Sequence, residues 1–375
     1  MISRTSLDVT RLSAAAQRAL GPGPGRAMAA RGLVPLPSAD QVAVLYQLAL
    51  DPDPGLAGAA RATAAGLPER LLAGTLADPG IDPRVLDLFA ELAAGRAAVF
   101  DAIVLNPAVA DETIATLAAK GDAREVDLIA QNEQRVLRYP AIIAAMYMNR
   151  RARMSTIDRV VELAVRNNVR VPGLAAWDEV ARALTGGSRA GEQDDTLIQG
   201  VLAAAGDDSA LLVGDAERAP PEEAPPGRPV AAAAGDADDP TFEKMSIPAK
   251  IRLASIGNAS IRAKAVRSPH RIVALAAIKA QGVKDMEVVN YACNRNLLED
   301  VIRYIASKRE WTKLYGVKVA LCRNPKTPLV EATRMLTTLR ERDLQELAKS
   351  KGVPSALAAQ ARRLVLQRRT GTGKP

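Results

Sequence analysis

Few side chains in this sequence carry the chemistry of redox, metal or nucleophilic sites. They are Cys293, Cys322 and His270, the only histidine of the chain. The two cysteines lie 29 residues apart without a CxxC partner, so they do not match a zinc or iron–sulfur ligand pattern. His270 follows Pro269 in a basic stretch, and no GxSxG motif accompanies it. We therefore predict no catalytic residue, no metal ligand and no cofactor, and we predict that the chain is not an enzyme.

The chemistry that the sequence does offer is cationic. Residues 241–375 carry 27 Lys and Arg against 10 Asp and Glu, and some of these cations are interleaved with Tyr304, Trp311 and Tyr315. The candidate residues for binding an anion or a partner are Arg267, Arg295, Arg303, Lys308, Arg309, Lys313, Arg323 and Lys349. Such a surface could neutralise phosphates, stack exposed bases or bind an acidic protein. The same cations could also be solvated side chains near helix C-termini.

An acidic stretch precedes this basic region. Residues 191–240 carry 12 acidic residues against 2 cations and are rich in Pro, Ala and Gly, which predicts a disordered linker over 186–240. Within it, the candidate docking motif has apolar residues at helical spacing: Leu197, Ile198, Val201 and Leu202. The alternative is a transient helix without a function. The opposite charges favour an intramolecular contact between the linker and the C-terminal domain.

Repeats in the flanking regions indicate the elements that position these residues. In the N-terminal region, acids or amides that follow apolar segments recur at intervals of 26 to 28 residues: Asp51, Asp78, Asn106 and Asn132. We expect them to cap the helices that follow. In the C-terminal region, small residues recur at intervals of 26 to 29: Ala265, Cys293, Cys322 and Ala348. A period of this length predicts stacked helical hairpins.

One family resembles this pattern. In residues 76–79 (LADP), 321–330 (LCRNPKTPLV) and 347–357 (LAKSKGVPSAL), apolar residues lead into a turn and then into another apolar helix. This arrangement resembles HEAT-like repeats and, among them, the leucine-rich-repeat variant. The resemblance implies an α-solenoid that binds partners through extended helical surfaces. The iron–sulfur cluster of the variant family does not carry over, because its cysteines are missing here.

These observations predict an all-α chain of two α-solenoid domains joined by an acidic disordered linker. Aromatic residues are only 3% of the chain and no segment alternates cleanly, which disfavours β-structure. The predicted boundaries are a flexible segment over 1–35, repeats over 36–185, the linker over 186–240, basic repeats over 241–369 and a disordered tail over 370–375.

The predicted function is a non-catalytic scaffold or adaptor that binds macromolecular partners through its repeat surfaces. A protein partner is expected. The alternative is a nucleic-acid-binding protein that uses the basic C-terminal solenoid. We expect no membrane partner and a cytoplasmic location, because no apolar run approaches the roughly 18 residues of a membrane span and charges interrupt the apolar residues at the N-terminus.

Overall fold

The computed structural model describes residues 5–191, 193–205 and 240–371. These residues form 24 α-helices and no β-strand, so the all-helical prediction is confirmed for them. The chain divides into two compact units, Met1–Gly173 and Leu174–Pro375. The acidic residues 206–239, which fall within the predicted linker, lie outside the described residues, as do 372–375 of the predicted tail.

The first unit is built from twelve helices. They are α1 (Ala14–Leu20), α2 (Pro24–Ala30), α3 (Ser38–Ala49), α4 (Pro54–Gly66), α5 (Glu69–Leu76), α6 (Pro83–Glu91), α7 (Ala97–Leu105), α8 (Asp111–Lys120), α9 (Ala123–Ala130), α10 (Glu133–Arg138), α11 (Ala141–Met148) and α12 (Met154–Arg166). Helix α3 packs on α4, α5 on α7, and α8 on α11. Each buries one apolar side; α12, for example, buries Met154, Ile157, Val161 and Ala164, which lie three and four residues apart.

Residues 5–35 differ from the expected flexible segment. Helices α1 and α2 pack on α3 and α4, and small side chains such as Ala16 and Ala29 are buried there. Ser13 caps α1, and its hydroxyl donates a 2.6 Å hydrogen bond to Asp40. Each alanine buries little area, but its small side chain allows helices to approach closely. The Gly- and Pro-containing sequence did not indicate that these helices would pack in this way.

The second unit is also built from twelve helices. They are α13 (Trp177–Thr185), α14 (Asp194–Ala205), α15 (Pro240–Lys244), α16 (Ile247–Ile256), α17 (Ala259–Val266), α18 (Arg271–Lys279), α19 (Asp285–Cys293), α20 (Glu299–Ser307), α21 (Tyr315–Arg323), α22 (Leu329–Leu336), α23 (Glu341–Lys349) and α24 (Ser355–Gly371). A 3-10 turn, Trp311–Lys313, lies between α20 and α21. Helix α16 packs on α18, α19 on α21, and α23 on α24.

The unit boundary differs from the predicted domain ends. Helix α13, expected in the N-terminal repeats, packs on α16 and α18 of the second unit. Its Glu179 is fully buried, and a carboxylate oxygen of Glu179 lies 2.9 Å from Lys279 Nζ. Helix α14, expected in the linker, packs on α15 and α16. An ion pair of the buried Glu179 holds α13. Buried side chains, among them Ile198 and Val201, hold α14, and the acidic and Gly-rich composition of 186–240 concealed this helix.

Buried asparagines join successive helix pairs in both units. Asn106, Asn149 and Asn324 each follow directly after a helix and are buried. The side-chain amide of Asn106 donates to the carbonyl oxygens of Leu76 and Asp78, at 2.7 and 2.9 Å. All three amides donate to two carbonyls that lie 28 to 32 residues earlier in the chain. These bonds satisfy carbonyls at a helix end and fix the spacing between neighbouring pairs.

The repeated acids of the first unit have another role than the expected one. Asp51 and Asp78 each accept a hydrogen bond from the backbone N–H two residues later, at 2.9 and 2.8 Å, and so form turns. The caps of α4 and α6 are instead Asp53 and Asp82. Of the four repeated residues, Asn132 alone caps the next helix, accepting from Arg135 N at 3.1 Å. The recurring residues therefore lie at turns between helices, while the capping interpretation was wrong at three of four positions.

Candidate functional site

The candidate site is a groove in the second unit, between the end of α20, the 3-10 turn, α21 and α22. Helix α20 starts with Glu299 and Asp300, whose charges favour a helix N-terminus, and it buries Val301, Ile302 and Ile305. Helix α22 starts after Pro328, which cannot continue a preceding ladder of hydrogen bonds. These elements enclose a cavity volume of about 530 Å³. We call this feature the basic groove.

The floor and the walls of the basic groove differ in chemistry. Ala306 and Met335 lie at the floor; they are almost fully buried, at 4% and 5% exposed, and present a small apolar surface to the groove. The remaining lining residues are polar or charged: Ser307, Arg309, Thr312, Lys313, Lys318, Glu331, Arg334 and Thr338. The three hydroxyls donate to nearby backbone carbonyls, at 2.8 to 3.3 Å. The hydrogen-bonding groups that remain for a ligand are therefore chiefly the cations.

Four cations of the basic groove lack carboxylate partners within the described ranges. They are Arg309, Lys313, Lys318 and Arg334, and no ion pair or side-chain hydrogen bond joins any of them to an Asp or Glu there. Glu331 is the one acid among the lining residues. The local net charge is thus positive, and a concave surface concentrates such a field. The arrangement is suited to attracting anions.

Two of the sequence-predicted cations, Arg295 and Arg323, already have partners in the second unit. Arg323 is half-buried and forms ion pairs with Asp343, at 3.5 Å, and with Glu346. Arg295 donates to the carbonyl oxygen of Arg323 at 3.4 Å. Both side chains therefore contact residues of a later part of the second unit. They are not free to bind an anion in the way that the sequence predicts.

The other predicted cations lie in different surroundings. Arg267 and Lys349 are exposed, the first directly after α17 and the second at the end of α23. Arg303 forms an ion pair with Glu299 on the same helix. Lys308 lies over the ring of Tyr304, with Nζ 5.4 Å from the ring centre. Of the eight sequence-predicted residues, the basic groove brings together Arg309 and Lys313.

Arg334 is a groove residue that the sequence reasoning missed, because it lies within a helix and outside the dense basic stretch. On α22, the groove-lining residues Glu331, Arg334 and Met335 follow helical spacing of three and four, and Thr338 lies just beyond the end of this helix. That spacing places them on one side of the helix. If the polar residues of α22 had been plotted on a helical projection together with the apolar ones, the groove-facing side of this helix would have been visible in the sequence.

The candidate docking motif lies on α14. Ile198 and Val201 are buried, while Leu197 and Leu202 are half-buried. The helix is tied to its neighbours at both ends. The carboxylate of Asp194 accepts from the backbone N–H of Ser246 at 3.0 Å, and the carbonyl of Ala205 accepts from the side chain of Asn258, also at 3.0 Å. The two buried residues of the motif are thus part of the packing of the second unit.

The cysteines and the histidine do not come together in a site. Cys322 is buried, and its thiol donates to the carbonyl oxygen of Ala332 at 3.6 Å. Burial raises the pKa of Cys322 to about 12, which keeps it a thiol at neutral pH. Cys293 and His270 are exposed. Over residues 5–191, 193–205 and 240–371, no cluster of three or more His, Cys, Asp or Glu side chains is placed to hold a metal ion.

Comparisons with known proteins add no relative. Protein-family models, curated proteins and solved structures were all compared with the chain, and none matches it. Among the described helices, none combines the length and apolar character needed to cross a bilayer. Functional inference therefore depends on the geometry and charge of the chain itself.

Proposed function

We propose that the chain is a cytoplasmic, non-catalytic adaptor of the HEAT-like helical-repeat class, and that it binds an anionic macromolecule in the basic groove. The observation that carries this proposal is the set of four groove cations, Arg309, Lys313, Lys318 and Arg334, without carboxylate partners in the described part of the chain. Elsewhere in the same unit, cations such as Arg271 pair with a carboxylate of a neighbouring helix.

Like charges in one groove repel each other, so their concentration there lowers stability unless an anion is bound. An anionic partner removes that repulsion and gains from several charges at once. The charges also speed the encounter with such a partner and help to exclude basic surfaces. Uncompensated charge in a concave site is thus better explained by binding than by folding.

The hydrogen bonds that fix the helices of the groove are consistent with the proposed adaptor role. Helix α21, which contributes Lys318, is tied to the end of α19 by Asn324, whose amide donates to the carbonyls of Ala292 and Asn294 at 2.9 and 3.1 Å. These buried bonds hold the groove helices in place before any partner arrives. A preorganised surface loses less conformational freedom on binding.

The test compares heparin binding by the full-length protein and by two charge-reversal variants. The groove variant is Lys313→Glu/Arg334→Glu. The control variant, Lys349→Glu/Lys351→Glu, changes the same charge at exposed turn positions outside the groove. We expect the groove variant to bind about tenfold more weakly at low salt, and the control to change by about twofold or less. Circular dichroism and thermal unfolding verify that both variants fold. Equal losses in both variants would refute a groove-specific site.

A further inference from the structure

The floor and the walls of the basic groove are suited to different chemical groups of a ligand. Its floor is the apolar surface of Ala306 and Met335, and its cations lie on the surrounding walls. Protein–protein contacts commonly have this anatomy, with an apolar centre and a polar rim. A ligand that consisted of charge alone would leave the floor without a complementary group.

A further apolar residue lies next to the groove-lining residues Glu331 and Arg334 on α22, outside the lining itself. Val330 is 78% exposed and lies four residues before Arg334 on α22. Side chains at this spacing are neighbours on a helix surface. An exposed aliphatic residue beside an exposed cation suits a ligand in which apolar and acidic groups alternate over a short distance.

The aromatic residues near the groove are already engaged. Trp311 meets the ring of Tyr304 edge to face, with ring centres 5.9 Å apart. The Nζ atoms of Lys279 and Lys308 both lie 5.4 Å from the centre of the Tyr304 ring. Proteins that bind single-stranded nucleic acid generally stack bases on open aromatic faces. A base that stacked on Tyr304 would have to compete with these contacts.

We infer that the ligand of the basic groove is an acidic protein segment with interspersed aliphatic side chains. Its aliphatic side chains contact Ala306, Met335 and Val330, and its carboxylates pair with the cations on the walls. This inference rests on the proposed function and makes it more specific, since it selects protein over nucleic acid as the anionic macromolecule.

The experiment measures the binding of three fluorescent probes to the full-length protein by anisotropy. The first probe is a peptide of Glu and Leu, the second is the same peptide with Ser in place of Leu, and the third is a single-stranded RNA of equal charge. We expect the Glu–Leu peptide to bind about fivefold more tightly than either other probe. Lys313→Glu/Arg334→Glu should weaken its binding about tenfold. Val330→Ser should weaken the Glu–Leu peptide about threefold and leave the Glu–Ser peptide unchanged.

Each other result has a distinct meaning. If the RNA binds most tightly and the groove variant abolishes that binding, the inference of a protein ligand is overturned while the proposed anion-binding function stands. If the Glu–Leu and Glu–Ser peptides bind equally, the apolar floor and Val330 have no part in recognition, which also overturns the inference. If the groove variant weakens no probe, the proposed function itself is refuted.

Discussion

The two units share one way of joining their helices and differ in what they do with charge. Asn106 and Asn149 in the first unit make the same pair of buried donor bonds as Asn324 in the second. Yet residues 1–173, the first unit, carry 19 cations and 18 acids, whereas residues 241–375 of the second unit carry 27 cations and 10 acids. The buried asparagine bonds are therefore independent of the surface charge, and the balance of cations and acids is what distinguishes the two units.

In the first unit, ion pairs link charged residues that are distant in the chain. Arg138 and Asp111 are 2.7 Å apart, and Arg153 and Asp127 are 2.9 Å apart; each pair joins residues that are 26 or 27 positions apart in the chain. The second unit has comparable pairs but also the four unpaired cations of the basic groove in its described residues. In both units, ion pairs join residues that are distant in the chain, whereas the unpaired cations of the basic groove are the ones available to the proposed ligand.

The largest expected effect separates buried from exposed pairs. Arg262 is buried and donates to both carboxylate oxygens of Glu287, at 2.8 and 3.1 Å. Glu287→Gln leaves this guanidinium without a counter-charge, so we expect the free energy of unfolding to fall by about 3 kcal/mol. Arg153→Gln, which breaks a half-exposed pair of the first unit, should cost about 1 kcal/mol or less. Urea unfolding measures both. Similar costs would show that burial does not distinguish these pairs.

A smaller effect is expected for the asparagines. Asn324→Ala removes two donors and leaves the carbonyls of Ala292 and Asn294 without them, which should cost about 2 kcal/mol. Asn294→Ala is the matched control. Asn294 also follows a helix directly, but the side-chain bond that the structure gives it is an acceptor bond from the N–H of Asn296, at 2.9 Å. Its loss should cost about 1 kcal/mol or less. A control as costly as Asn324→Ala would mean that the turn, and not the link between helix pairs, carries the stability.

The smallest effect concerns the acidic segment between the described parts. Residues 206–239 contain nine Asp and Glu and two Arg. We propose that their charge competes with an external anion for the basic groove, since they are attached to the same chain. Replacing the nine acids with Ser or Gln should tighten heparin binding roughly threefold at low salt, and the gain should vanish at high salt. If the variant and the unchanged protein bind heparin with equal affinity at every salt concentration, the acidic segment does not compete for the basic groove.

Sequence reasoning predicted the helical fold because that fold depends on local and periodic signals. Apolar residues at helical spacing indicated a helix over 197–202, which lies within α14, and the recurring residues Asp51, Asp78 and Asn106 lie at turns between helices. Two other predictions differ from the structure: residues 1–35 were expected to be flexible, and the linker was expected to start at 186. Alanine packing in α1 and the capping contacts of Asp194 depend on residues distant in sequence, and composition does not record them.

The site was predictable only in part. Arg309 and Lys313 were identified because they lie in a dense basic stretch, whereas Arg334 lies on α22 and reaches the groove through tertiary packing. Arg323 was expected to be available, but it forms ion pairs with Asp343 and Glu346, which lie on the later helix α23. Charge along a sequence shows how many cations exist, and only the fold shows which of them have partners.

Hydrogen–deuterium exchange of the full-length protein, with and without a saturating heparin oligosaccharide, tests the central claim most directly. The method reports local opening at each backbone amide and needs no mutation. We predict slower exchange in residues 306–318 and 331–338 when heparin is bound, and unchanged exchange throughout the first unit. Protection spread equally over both units, or confined to the turns around Arg267 and Lys349, would contradict the assignment of anion binding to the basic groove.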